Sequence, residues 1–357
     1  MEAAGPQPFL RCRPSPTGGL VARGRLEMAG FLVRRLVAMV LTLIALTMVV
    51  FLIFNALPAD PARLTCGKSC SPQIVEANRH RLGLDDPLPV QYEKFVKGIF
   101  AGRTYGEGKA TFSCHVPCLG YSFRKGQQVS DMIGARFPIT LQLALGAFVM
   151  WILLGVSVGI VGALKKGKWQ DRTIMGFAMV GYSFPSFFVG LLLIFFVQIK
   201  WGVIGFGGYV PLFDNPTGWF TGFILPWTAL ALLYAALYAR LTRNQMLDTL
   251  GEDYIRTARA KGLSERVVIG KHGLRACLTP IVTAAGLDLA GLLGGAIITE
   301  QVFGIPGIGR MAVESVTDAD LPVITGTVMM AASLIIVANL VVDVLYAVID
   351  PRVRLAS

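Results

Sequence analysis

The run FPITLQLALGAFVMWILLGVSVGIVGA, Phe137 to Ala163, holds no charged side chain. A helix crosses the roughly 30 Å hydrocarbon core of a bilayer with about 20 residues, so this run is long enough to span one. A buried helix of a soluble protein would break its apolar surface with a polar stripe at helical spacing, and here apolar residues cover nearly every side. Five further runs are likewise long and predominantly apolar: Phe31 to Leu57, Ile174 to Ile199, Phe220 to Ala239, Ile281 to Phe303 and Thr325 to Ile349. The expected fold is therefore all-α and membrane-embedded, with six transmembrane helices.

Composition agrees, with 54% hydrophobic residues, 15% charged residues and a mean hydropathy of +0.60. Soluble domains carry about a quarter charged residues, so the apolar excess fits a lipid-facing solvent. The net charge of +11 would suggest nucleic acid if it covered one soluble surface, but it is concentrated in the connections between the apolar runs. Lys165, Lys166, Lys168 and Arg172 crowd the 164–172 connection, and Arg240, Arg243, Arg256, Arg259, Lys261, Arg266, Lys271 and Arg275 the 240–280 connection. Short loops rich in Lys and Arg stay in the cytoplasm. Lys200 is the single basic residue of 200–218 and Arg310 that of 304–324, while Arg34, Arg35, Arg352 and Arg354 flank the outermost runs. Both termini are expected inside and the long 58–136 segment outside.

The chain then divides into an irregular extension (1–30), the first span (31–57), the extracytoplasmic loop (58–136), a core of five spans (137–349) and a cytoplasmic tail (350–357). Residues 1–27 are rich in Pro, Gly and Arg and are expected to be disordered. Met28, just before the first apolar run, offers a second start. That run is long enough to remain as a helix, unlike a cleavable signal.

Four of the 6 cysteines fall in the outer loop as Cys66-x3-Cys70 and Cys114-x3-Cys118, whereas Cys12 and Cys277 fall on the reducing side. An oxidising compartment favours disulfides, within each turn or across the two. The alternative is a metal site using His115 or His80, but the spacing matches no standard zinc pattern.

The basic connection contains GEDYIRTARAKGLS, residues 251–264. Glu252 and Asp253 at its start and Arg256, Arg259 and Lys261 toward its end complement a helix dipole, so a short helix is expected from Glu252 to Lys261. Gly262 ends it, Ser264 caps a second helix at the membrane face, and Pro280 marks the return to the membrane. An ordinary basic loop would explain the charges but not this order. Small Ala258 and Ala260 would let a partner approach, with Tyr254 and Ile255 as apolar anchors.

Glu252, Ala258, Gly262 and Pro280 resemble the EAA loop of binding-protein-dependent ABC importer permeases. EDYIRTARAKGLS with His272, Leu274 and Arg275 resembles the B-type permease subunit of dipeptide, oligopeptide and nickel importers. Leu82 to Asp85 with Pro87 and Tyr92, Arg136 and Thr140 to Leu143, Glu300, Phe303, Pro306, Gly307 and Gly309, and Asp343, Tyr346 and Asp350 to Arg352 extend the resemblance from Phe31 onward. It departs in the 1–27 extension and in the cysteine turns, where the family has a shorter stretch before Ser122. The resemblance implies a permease subunit that pairs with a second one and with an extracytoplasmic solute-binding protein. It implies two ATPases that hold ATP and Mg, docked through Glu252, Asp253, Tyr254, Ala258, Lys261 and Gly262. Small peptides are the implied cargo, with nickel or another small solute as the alternative.

No catalytic constellation emerges, so the chain itself is expected to bind no cofactor and do no chemistry. Gly162 to Lys168 imitates a phosphate-binding loop but has Trp169 where the metal-binding Ser or Thr belongs. Asp288, Glu300 and Asp343 lie in or at the ends of apolar runs, where a charge at the bilayer centre costs about 2.5–3.5 kcal/mol. Asp288 and Glu300, with Phe303, Pro306 and Gly307, are candidates for the translocation path or its outer gate. Helix-packing hydrogen bonds are the favoured role for Glu300 and Asp343. A secondary carrier is the rival reading, and it would show inverted repeats, broken midplane helices and a carboxylate relay. A membrane sensor would need a cytoplasmic output domain, which the sequence lacks.

Overall fold

The computed structural model describes residues 17–56, 61–64, 71–82, 84–105, 111–205 and 208–349. Helix α1 (Thr17–Ala56) is followed by α2 (Pro61–Leu64), α3 (Pro72–Leu82) and α4 (Leu88–Ala101). Two antiparallel hairpins then pair β1 (Arg103–Tyr105) with β2 (Phe112–Cys114) and β3 (Tyr121–Ser122) with β4 (Gln127–Gln128). The remaining chain is helical: α5 (Val129–Leu164), α6 (Trp169–Ser183), α7 (Ser186–Leu193) with a π-helical extension (Ile194–Lys200), α8 (Pro216–Gly251) and α9 (Asp253–Ala260). Then come α10 (Glu265–Val267) joined by a π-helical turn (Val268–Gly273) to α11 (Leu274–Leu293), and α12 (Ile297–Val302), α13 (Ile308–Thr317) and α14 (Leu321–Ile349).

Among the described residues, five helices are long and apolar enough to cross a membrane, and six spans result if the bent pair α6 and α7 counts as one. This bend corrects the expectation of one straight helix from Ile174 to Ile199: the two segments meet at 99°. Pro185 is the cause. Its ring disfavours helical geometry at the residue before it, and Phe184 is extended with ψ 133°.

Three other boundaries move. α1 begins at Thr17, so the part of the leader from there on is helical rather than irregular. Once the downstream helix exists, adding turns of Leu, Ala, Arg and Glu costs little, because nucleation is the expensive step. α8 runs past Ala239 to Gly251. Pro280, expected at the membrane return, lies inside α11, and the span reaches back to Glu265. The 240–280 connection is thus built from the ends of two long helical segments joined by α9.

The core is centred on α5 and α8, which pack closely from Gln142 to Gly162 of α5. Glycines allow the approach: a Cβ on Gly155 would lie 2.6 Å from Tyr238 Cβ, and one on Gly159 would lie 2.7 Å from the Ala239 carbonyl. Small residues at such spacing let backbones meet where lipid supplies no hydrophobic drive. Trp151, Leu143, Tyr238, Met246, Cys277 and Ile281 are buried in the resulting cluster. On the far side α14 packs on α11 and α1, with Arg35 of α1 paired to Asp343 of α14 at 3.0 Å.

The outer loop has a small core of its own. Tyr105, Phe112, Tyr121 and Phe123 contact one another edge-on or tilted, and the Cys114–Cys118 disulfide closes the turn beneath them. Ser122, fully buried, bonds Asp320 in the turn before α14 and thereby ties the hairpins to the bundle.

Candidate functional site: the hairpin around α9 and the polar groups of the bundle

The expected short helix is present as α9, with Glu252 extended at its N-terminal end and Gly262 at φ 75° after it. Backbone bonds from Gly262 N to Arg259 O (2.9 Å) and from Leu263 N to Ala258 O (3.4 Å) close the last turn. A left-handed residue is required there, which suits glycine. Arg259 Nε reaches Glu265 Oε1 at 2.7 Å and bridges the turn. Ser264 stands where a cap was expected, but its carbonyl, not its hydroxyl, accepts from Val267 and Val268.

The faces of α9 differ from expectation. Ile255 and Ala258 are buried against Leu250 and Val268, so they fix the helix to its own hairpin and are not anchors for a partner. Glu252, Asp253, Tyr254, Arg256, Arg259, Lys261 and Gly262 are exposed. A strip of charge and one aromatic ring is what remains for a partner to meet.

The hairpin is braced from the side by a pair that charge counting along the sequence did not single out. Asp171, 6% exposed, accepts from Arg243 Nε at 2.5 Å and Nη2 at 2.8 Å. It also accepts from the Gly167 backbone N–H at 2.9 Å. The glycine-rich turn that imitates a phosphate loop is therefore closed on the protein's own carboxylate.

The three carboxylates of the apolar runs make separate bonds. Glu300, fully buried, accepts from Thr140 at 2.7 Å and from the Arg310 N–H at 2.9 Å. Its carboxyl group abuts Gly307, where an added Cβ would come within 2.4 Å. Glu300 thus pins α12 to α5 and to the Phe303–Gly307 turn. Phe303 packs on Gly190 of α7, and Pro306 is half-buried in that turn. Just beyond, Arg136 and Arg310 hold Glu314 at 3.2 Å and 3.0 Å. Burial raises the Glu314 carboxyl, but the two guanidinium groups outweigh it and leave it below its ordinary range. Asp288 differs: Tyr238 donates to it at 2.6 Å, and no cation pairs with it among the described residues.

Cys66 and Cys70 lie outside the described residues, as does Cys12. Cys114 and Cys118 are bonded within their own turn, His80 pairs with Asp85 at 2.6 Å, and no group of His, Cys, Asp and Glu among the described residues could hold a metal ion. The metal alternative for this turn is set aside by the oxidised sulfurs. Cys277 is buried and free.

Residues 133–355 match the family described as binding-protein-dependent transport system inner membrane component, and residues 28–144 match that family's N-terminal membrane component. The chain belongs to this family. A relative in Brucella abortus (strain 2308), named as a peptide transport system permease protein, is 37% identical over 327 residues, which is 92% of this chain and 99% of the relative. The glutathione transport system permease protein of Escherichia coli O6:H1 is 39% identical over 329 residues, with the same shares. A solved structure titled inward facing conformations of the MetNI methionine ABC transporter overlays with TM-score 0.48 at 18% identity, over 61% of this chain and 96% of that one. The protein is accordingly a permease subunit of an ABC importer, a multi-pass inner membrane component that serves transport rather than catalysis. The secondary-carrier reading falls with this, although the bend at Pro185 matches one of its expectations. The permease family itself implies partner subunits.

Proposed function

We propose that this permease moves small peptides inward, as one of two permease subunits above a pair of ATPases that hold ATP and Mg, and beneath an extracytoplasmic binding protein. The peptide cargo is supported by the names of the relatives, which match over nearly their full length. Nickel and other small solutes have no such support. Both termini face the cytoplasm, as the placement of Lys and Arg argues, and six spans result when the bent pair α6 and α7 forms one.

The observation that carries the mechanism is the exposed strip of α9. Its inner residues, Ile255 and Ala258, are locked into a hairpin of α8 and α11, so a push on Glu252, Asp253, Tyr254, Lys261 or Gly262 passes directly into two spanning helices. ATP-driven closure of the ATPases on that strip would rock the bundle between inward- and outward-facing states, a rigid-body switch. The turn Phe303 to Gly307, buttressed by Glu300, would form part of the outer gate.

The test is cysteine cross-linking at Tyr254→Cys in the assembled importer, combined with uptake of a labelled tripeptide. Cross-links to an ATPase that change with nucleotide support the reading. Efficient uptake with α9 charge-reversed at Asp253 and Lys261 would rule it out.

A further inference from the structure

The Asp288 carboxyl lies inside a spanning helix, and its hydrogen-bond partner among the described residues is a phenol, Tyr238, which is itself fully buried. A charge in that setting calls for a counter-ion or water. The ion-paired carboxylates elsewhere show the contrast, since Asp171, Glu314 and Asp343 each have an arginine within 3.2 Å. Further aromatic rings lie against Tyr238. Trp151 of α5 stacks on Tyr234 of α8 at 4.5 Å and lies 6.2 Å from Tyr238, and its indole N–H has no partner although it is fully buried. Tyr234 and Asp288 are only partly covered, so the cluster opens to one side of the α8–α11 seam. Ring faces attract cations, and a carboxylate beside them completes the recognition set for an ammonium group.

We propose that Asp288 and Tyr234, backed by the buried Tyr238 and Trp151, form a transit site for a primary ammonium group, the protonated amino terminus of a peptide in passage. This rests on the peptide-import reading for its substrate. One carboxylate backed by rings attracts a cation yet holds it weakly enough to release, as a conducting path requires.

Two measurements on the assembled importer test it. In the first, Gly291→Cys, an exposed position one turn along α11 from Asp288 with open space for a side chain, is labelled with a positively charged and a neutral methanethiosulfonate reagent, with and without n-butylammonium. The charged reagent should react about tenfold faster, butylammonium should protect, and Asp288→Asn should erase both effects. In the second, uptake of trialanine should fall about tenfold in Asp288→Asn and recover in Asp288→Glu. Charge preference and protection in an importer that takes up no peptide support the ammonium site and refute peptide cargo. Equal labelling rates, or wild-type uptake by Asp288→Asn, would overturn the proposal. Loss of the second permease from purified Asp288→Asn, reversed by Asp288→Glu, would also overturn it, because the missing cation would then come from that subunit.

Discussion

Gly262 is the residue on which the hairpin between α8 and α11 turns. Nothing lies within 4 Å of a Cβ placed there, so a substitution meets no clash; it meets the strain of φ 75°. Uptake should therefore follow backbone tolerance rather than size: Gly262→Asn retains most activity, Gly262→Ala loses part and Gly262→Val most, with membrane insertion unchanged. A ranking by side-chain volume would show instead that a partner packs on this residue. The Asp171–Arg243 pair makes a second prediction. Arg243→Ala leaves a buried carboxylate with only the Gly167 amide, and losses of about 3–5 kcal/mol are typical when one partner of a buried pair is removed. Thermal unfolding in detergent should show it, with Arg243→Lys recovering part of the loss. Glu314 gives a third, at acid pH. Its folded pKa is lowered, so its stabilisation is complete above the ordinary carboxylate range and is lost as pH falls through the lowered value. Below about pH 4.5 the wild type should therefore lose melting temperature faster than Glu314→Gln.

Among the elements, the spans were legible because hydropathy is a local property of each run. Their ends were not. Past Ala239 the chain turns polar while its residues remain good helix formers, so α8 continues as a helix after it has left the lipid. The bend at Phe184 was announced by Pro185, but a continuous apolar run outweighed one proline. Which side of α9 faces inward depends on Val268 and Leu250, parts of neighbouring elements that only tertiary packing brings close. Likewise Asp171 and Arg243 lie 72 residues apart, and Arg243 reads singly as a topological charge while Asp171 carries no signal of its own. The glycines of α5 yield a prediction at this scale. Gly159→Leu should abolish the folded permease by separating α5 from α8, whereas Gly134→Ala, with open space around it, should be accepted. Size-exclusion profiles of the two variants decide this.

For the whole molecule, the site most readable from sequence was the hairpin loop, since charge order, Gly262 and the family resemblance all converged there. The polar bonds of the bundle were less readable, because hydropathy marks a carboxylate as misplaced without saying what it meets. Glu300 meets Thr140, 160 residues away. The orientation reading is open to direct measurement: reporters fused at both termini should be active only in the cytoplasm, and one inserted near Thr111 only outside. A mixed result would reverse the assignment of α9 to the ATPase side.

The length of α8 has a mechanical consequence. Its 36 residues rise about 1.5 Å each, so the rod is roughly 54 Å long, against a hydrocarbon core of about 30 Å. The excess stands out of the membrane with α9 at its tip. A tilt of about 10° pivoting at the far end carries that tip roughly 9 Å, and conversely a displacement of that size at the tip becomes only a small angular change among the helices. Under the coupling proposed above, a large movement at the tip would thus be geared down into a small one among the helices, as the close glycine contacts between α5 and α8 require.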